Sequence, residues 1–191
     1  MLDQKELLSI FRETRVLREG HFRLTSGKHS SVYIQCAQVL QYPKFTELLC
    51  DDLARRFKGE EIDVVVAPAI GGIIIAYEVA RFLGCRALFT EREDNVMTFR
   101  RGFHLEMDEN VLVVEDIVTT GGSVMEVIDA VQKKGGFMRG VGVLVDRSGG
   151  KVNFGVRTEA LYTTDYVTYE PEECPLCKED VPLIKPGSRK S

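Results

Sequence analysis

No apolar run in this chain is long enough to span a bilayer. The opening residues, MLDQKELLSIFRETR, scatter charges through a helical pattern and lack the apolar core of a signal peptide. A soluble cytoplasmic protein is the expectation. A basic excess is also missing: 25 Lys and Arg stand against 29 Asp and Glu, a formal net charge of −4. That excludes bulk electrostatic attraction to nucleic acid or to an anionic membrane. The five cysteines are an odd number, and Cys36, Cys50 and Cys85 sit singly in apolar or helical surroundings, which does not read as a disulfide framework. Internal repeats and low-complexity tracts are absent. What is present is enough apolar material, 44% of 191 residues, for a sizeable core in one domain with a small appendage.

The pattern along the chain predicts alternating elements. Residues 3–19 read as an amphipathic helix, with Leu7, Leu8, Phe11 and Val16 near helical spacing. A short apolar piece, His21–Leu24, precedes the polar turn TSGKHSS. Val32–Cys36 then reads as a strand, and Pro43 opens a helix through about Phe57. The run Ile62–Ala67 is nearly all β-branched, as in a strand covered on both faces of a parallel sheet. A helix over Ile73–Leu83, a strand over Arg86–Thr90, a strand over Val111–Val114, a helix through about Lys134 and a strand over Met138–Val145 complete the series. Such alternation defines a doubly wound, mainly parallel α/β sheet flanked by helices. Ligands of such sheets bind beyond the carboxyl ends of the strands.

The strongest signal is residues 111–123, VLVVEDIVTTGGS. Four apolar residues make the strand, Glu115 and Asp116 stand at its end, and Ile117 and Val118 lead into the turn Thr119-Thr120-Gly121-Gly122-Ser123 and a helix. Glycines allow close backbone approach, and hydroxyls with free N–H groups at a helix N-terminus make an anion site. The carboxylates repel a phosphate but accept hydrogen bonds from sugar hydroxyls. A ribose 5-phosphate fits that order. Taken alone, TTGGS also suits an ordinary βα turn with an N-cap hydroxyl. It is neither a Walker loop nor a GxGxxG dinucleotide loop. A second turn, Ala67-Pro68-Ala69-Ile70-Gly71-Gly72, ends another buried strand and opens a helix, again with room for an anion against backbone N–H groups. A tight strand–helix connection is the competing reading.

Residues 111–123 resemble the phosphoribosyl pyrophosphate signature of type I phosphoribosyltransferases at every class of position. The resemblance implies that Glu115 and Asp116 hold the ribose hydroxyls, that Thr119–Ser123 cradle the 5-phosphate with Ile117 and Val118 also among the phosphoribosyl pyrophosphate-binding residues, and that Ala69, Gly71 and Gly72 contact the pyrophosphate. It implies Mg²⁺ as cofactor, held through the substrate with no direct protein ligand. It also implies a homodimer in which a flexible loop closes over the substrates across the interface. The stretch Glu91–Leu105, EREDNVMTFRRGFHL, lies where that loop falls, so Arg92, Arg100, Arg101 and His104 become the candidate catalytic cations. It carries no lysine, unlike the familiar pattern, but arginine neutralises pyrophosphate bidentately. A solvated surface hairpin is the alternative.

Two further segments resemble the orotate phosphoribosyltransferases within that family. Thr25-Ser26-Gly27-Lys28 through Tyr33 is similar to their N-terminal hood, formed here by residues 1–40, although a Lys commonly precedes the Ser-Gly pair and here it is Thr25. Asp146-Arg147 is similar to the pair whose arginine binds the base, and a guanidinium fork suits the carboxylate of orotate. The resemblance thus implies orotate contacts from Ser26, Lys28, Tyr33, Arg147 and Thr119; a turn with a surface ion pair is the other reading of Asp146-Arg147. The overall pattern, including MTFRRGF and the C-terminal CPLC…PGSR, looks most like the thermophilic bacterial and archaeal branch. Cys174-Pro175-Leu176-Cys177 lies in an expected C-terminal tail, residues 165–191. One CxxC supplies half of a zinc site and no second pair is visible nearby, so a turn with two free thiols is expected; a zinc bridge between two subunits is the alternative. The rivals are a purine phosphoribosyltransferase on the same fold and a non-catalytic sensor of phosphoribosyl pyrophosphate.

Overall fold

The computed structural model describes residues 1–186, and Gly187–Ser191, which end the expected tail and its PGSR segment, lie outside the described residues. In chain order the elements are α1 (Gln4–Glu13), β1 (Leu17–Arg23), β2 (His29–Ile34), α2 (Ala37–Leu40), α3 (Pro43–Arg56), β3 (Val64–Pro68), α4 (Gly71–Leu83), β4 (Arg86–Glu93), β5 (Val96–Phe99), β6 (Asn110–Val118), α5 (Gly122–Lys133), β7 (Phe137–Asp146), β8 (Thr158–Thr163), β9 (Thr168–Tyr169) and, after a 3₁₀ turn at Pro171–Glu173, α6 (Pro175–Lys178).

The main sheet has six strands in the order β5-β4-β3-β6-β7-β8. Every pairing is parallel except β4 with β5. The buried strands show why the sequence reads as unbroken apolar runs. Val65, Ala67, Leu112 and Val114 pack on one face with α1, α3 and α4 side chains such as Phe11, Leu53 and Val79. Val64, Val66, Val111 and Val113 pack on the other with Val124, Val127, Ile128 and Val131 of α5. Helices therefore cover both faces, and an apolar residue is required at each successive position. The chain runs from β3 through α4 to β4 on one side, whereas β6 pairs on the other side of β3. The carboxyl ends of β3 and β6 thus flank a topological switch point, where a doubly wound sheet opens a crevice.

A second sheet, β1-β2-β9, is antiparallel. The helix expected over residues 3–19 stops at Glu13. Its start is well specified: the Asp3 carboxylate accepts from the backbone of Lys5 and Glu6 while Glu6 reaches back to the Asp3 N–H. Its end is set by Thr14, whose hydroxyl donates to the Ile10 carbonyl at 2.7 Å, and by Arg15 at φ 58°. Residues from Leu17 onward then pair with β2, which absorbs the expected apolar piece at His21. β2 itself begins at His29, three residues before the expected Val32 and within the expected polar turn.

The stretch expected to be a long lid between strands is ordered differently. β4 continues to Glu93, and Asp94 and Asn95, both at positive φ (49° and 64°), turn the chain directly into β5. Apart from that two-residue turn, residues 100–109 are what remains outside a strand before β6.

Candidate active site

β6 delivers its two carboxylates side by side at the crevice. Glu115 is 8% exposed, and one of its oxygens accepts the Asp116 backbone N–H at 3.0 Å. Burial, followed by the charge of Asp116, pushes the Glu115 carboxyl up to about 8. Burial also raises Asp116. The pair is a desolvated acceptor site that gains when hydroxyl donors or a positive charge arrive. Ile117 and the buried Val118 continue the strand, so they hold the loop by their backbone.

Beyond Val118 the chain opens to solvent. Thr119, Thr120, Gly122 and Ser123 are exposed while Gly121 is buried. Gly121 adopts φ 79°, and a Cβ there would lie 2.6 Å from Val152 and 3.0 Å from Phe154, so only glycine makes this turn. Gly121 is the N-cap of α5, whose first N–H groups face the loop. Glu115 and residues Ile117–Val124 line a small cavity of ≈ 70 Å³. A pit with hydroxyls, helix N–H groups and no lining cation is chemically suited to an anion, which it would meet with backbone donors.

The second loop leaves β3 beside it. Ala69 donates its N–H to the Thr90 carbonyl at 2.8 Å, the Ala69–Ile70 peptide is cis, and Gly71 begins α4. Gly71 lies against Asp116, since a Cβ at Gly71 would be 3.0 Å from the Asp116 carboxylate. Gly72 is packed on Ala67, where a Cβ would approach to 2.6 Å. The two glycine turns therefore meet across the acidic pair.

β7 brings Arg147 to the same corner. Asp146 aligns with Val118 in the β6–β7 register, and Arg147 donates its N–H to the Val118 carbonyl at 2.8 Å. Asp146 is spent on shaping its own loop, accepting from the N–H groups of Ser148 (2.7 Å) and Gly150 (2.9 Å). It makes no ion pair with Arg147, and among the described residues the Arg147 guanidinium has no carboxylate within salt-bridge distance. The buried thiol of Cys36, just past β2, senses this corner: burial raises it, Asp116 and Glu115 raise it further, and Arg147 opposes them. Cys36 is a site neighbour that its lone place in the sequence did not mark.

The remaining candidates are dispersed. Lys28 is paired with Glu170 at 2.8 Å, and Ser26 accepts the Lys28 N–H at 3.4 Å at the hairpin tip. Tyr33 donates to Gln35 at 2.5 Å and lines a ≈ 770 Å³ cavity with Arg15, Arg18, Glu19, Gln38 and Pro186, none of which belongs to either glycine turn. The loop cations all hold carboxylates: Arg92 with Glu126 (2.7 Å), Arg100 with Glu93 (3.2 Å), Arg101 with Glu91 (2.7 Å) and His104 with Glu106 (3.1 Å). In this arrangement they are not gathered around Glu115 and Asp116 by any contact.

A buried parallel sheet, an acidic pair at its switch point and two glycine turns meeting across that pair match a phosphoribosyltransferase-type site. The chain belongs to the phosphoribosyltransferase family: residues 38–153 match the model described as the phosphoribosyl transferase domain. It is 60% identical to an orotate phosphoribosyltransferase of Pelotomaculum thermopropionicum over 99% of this chain and 100% of the relative, and 59% identical to one of Caldanaerobacter subterraneus over the same shares. Within the family it stands among the orotate phosphoribosyltransferases. Among solved structures it superposes on orotate phosphoribosyltransferase from Aeropyrum pernix with a TM-score of 0.67 at 26% identity, covering 82% of this chain and 93% of the other. An adenine phosphoribosyltransferase from Thermoanaerobacter pseudethanolicus shares the fold at a TM-score of 0.59 and 18% identity, covering 69% and 88%. The fold alone therefore does not select the base.

Proposed function

We propose that this chain transfers the phosphoribosyl group from 5-phospho-α-D-ribose 1-diphosphate to orotate, giving orotidine 5′-phosphate and pyrophosphate in pyrimidine nucleotide synthesis. The observation that carries the reading is the corner where Glu115–Asp116, the 119–123 turn, Gly71 and Arg147 converge. The names of its full-length relatives support orotate as the acceptor.

In this reading Thr119–Ser123 bind the 5-phosphate through backbone N–H groups and hydroxyls. Glu115 and Asp116 accept from the ribose hydroxyls, which relieves their unfavourable burial. Ala69, Gly71 and Gly72 present backbone to the pyrophosphate. Arg147 forks onto the orotate carboxylate, with Thr119, Ser26, Lys28 and Tyr33 completing the base site. A ring nitrogen of orotate attacks the anomeric carbon as pyrophosphate leaves, so no protein nucleophile is required. Positioning and neutralisation of the leaving group supply the acceleration. An all-oxygen donor set fits Mg²⁺, which, when bound through substrate oxygens, neutralises pyrophosphate charge. Arg92 of β4, and Arg100, Arg101 and His104 of the segment after β5, exchange their carboxylate partners for pyrophosphate when that segment closes over the site.

The working unit we propose is a homodimer. Ile70, Ile74 and Tyr77 are 85%, 45% and 65% exposed at helical spacing on and just before α4, an apolar stripe suited to a second copy. The test is orotate absorbance in the presence and absence of phosphoribosyl pyrophosphate and Mg²⁺. Loss of signal only with both present supports the reading. Turnover with adenine or hypoxanthine instead of orotate overturns the role of Arg147.

A further inference from the structure

The sequence offered only half a metal site at Cys174-Pro175-Leu176-Cys177; the fold supplies the other half. β1 and β2 carry His21 and His29 on the hairpin, and the C-terminal segment lays both thiols against them. The four ligand atoms lie within 4.8 Å of one another. His21 Nε2 is 3.0 Å from His29 Nδ1, 3.4 Å from Cys174 Sγ and 3.7 Å from Cys177 Sγ, and Cys177 Sγ is 3.3 Å from His29 Nδ1. A tetrahedral zinc with ordinary Zn–N and Zn–S bonds places its ligand atoms roughly 3.3–3.8 Å apart. The observed separations sit around that range.

Protons alone satisfy this cluster poorly. The Nδ1 of His21 is 2.8 Å from the Val181 carbonyl, which accepts but cannot donate, so Nδ1 carries the proton and Nε2 presents a bare lone pair. That one lone pair faces His29 and both sulfurs at once. A cation shared by all four atoms resolves the crowding, and the Val181 carbonyl is then the outer-shell acceptor that orients a metal-bound histidine. Burial agrees: His21, His29 and Cys174 are 1%, 5% and 0% exposed, while Cys177 lies at the surface and gives the ion a way in. All five cysteines, these two included, are free thiols.

We propose that His21, His29, Cys174 and Cys177 form a closed, structural zinc site within one chain. Two imidazoles and two thiolates favour zinc over the hard cations that oxygen donors select, and four protein ligands leave no position for catalysis. The ion clips the C-terminal segment to the β1–β2 hairpin. It reinforces the short β2–β9 pairing at His29–Tyr169 and the backbone bonds between Arg23, His21 and Ile184.

The test is metal analysis of the untagged full-length protein, followed by removal with a chelator and titration with Co²⁺. One zinc per chain, and a tetrahedral thiolate–cobalt spectrum in the wild type, are expected. Cys177→Ser, at an exposed position that leaves the fold intact, should weaken Co²⁺ binding at least about tenfold and reduce the sulfur-to-metal band. Metal removal should lower Tm more in the wild type than in Cys177→Ser. Half a zinc per chain would place the ion between two subunits and overturn the proposal. So would a Cys174–Cys177 disulfide in the isolated protein, failure of the apo-protein to take up Zn²⁺ or Co²⁺, or a cobalt spectrum that Cys177→Ser leaves unchanged.

Discussion

Gly71 lies directly against Asp116: a Cβ added to the glycine would meet the carboxylate carbon and one of its oxygens at 3.0 Å. The first turn of α4 and the end of β6 are thus fitted to each other at the point where ribose and pyrophosphate are proposed to meet.

Gly71→Ala should therefore push the Asp116 carboxylate out of place. The backbone there is helical, and alanine gains up to about 1 kcal/mol over glycine in a helix, which offsets the crowding. Stability should hold within about 1 kcal/mol of wild type while the KM for phosphoribosyl pyrophosphate rises about tenfold or more. Gly72→Ala meets Ala67 instead, at 2.6 Å, and should lower Tm. Steady-state kinetics and thermal melts on both variants check this; a Gly71→Ala enzyme with unchanged KM removes Asp116 from the ribose site.

The acidic pair should also leave a mark on stability. Glu115 ionises at about 8 in the fold against a reference of 4.5, so the native state holds a proton that the unfolded chain releases. A native state that binds more protons loses stability as pH rises, here between about 4.5 and about 8. Glu115→Gln removes that loss. Urea unfolding at pH 5.5 and pH 8 should show the variant gaining on the wild type at the higher pH by at least about 1 kcal/mol, since one pK unit corresponds to about 1.4 kcal/mol. Its transferase activity should fall strongly. Equal gains at both pH values would mean that the pair ionises normally.

Arg147 is the residue proposed to carry the choice of base. Losing a charge-assisted fork costs about 1.5–3 kcal/mol, so Arg147→Ala should raise the KM for orotate by roughly ten- to a hundredfold. Arg147→Lys should recover little, because an ammonium cannot match a carboxylate bidentately. A matching loss in the KM for phosphoribosyl pyrophosphate would assign Arg147 to the other substrate.

How far these features could be read in advance follows from their physics. β3, β6 and β7 are covered on both faces, so burial forces unbroken apolar runs, and the glycine turns follow them directly. β8 has a half-exposed burial pattern and β9 is two residues long, and neither leaves a period to detect. Val16 and Leu17 suit a continued helix, and only the αL backbone of Arg15 shows that the helix is over. Asp94-Asn95 was a usable hairpin signal, because both residues tolerate positive φ. The His–Cys cluster had no local signal, since 153 positions separate His21 from Cys174 and only the packing of the C-terminal segment on the hairpin brings them together.

The loop arginines separate structure from catalysis. Arg100 and Arg101 are 44% and 62% exposed and held by Glu93 and Glu91. Exposed, solvent-screened pairs contribute little to stability, so Arg100→Ala and Arg101→Ala should leave Tm close to that of wild type. Their proposed task is different in scale, because removing one donor from a developing anion commonly costs about a hundredfold or more in kcat. A kcat loss of that order for either variant, with Tm unchanged and orotate KM little affected, places that arginine on the leaving pyrophosphate. Wild-type kcat in both variants, measured with saturating Mg²⁺, would reduce these pairs to surface ornaments of the β4–β5 hairpin and shift the neutralisation to Arg92 and His104.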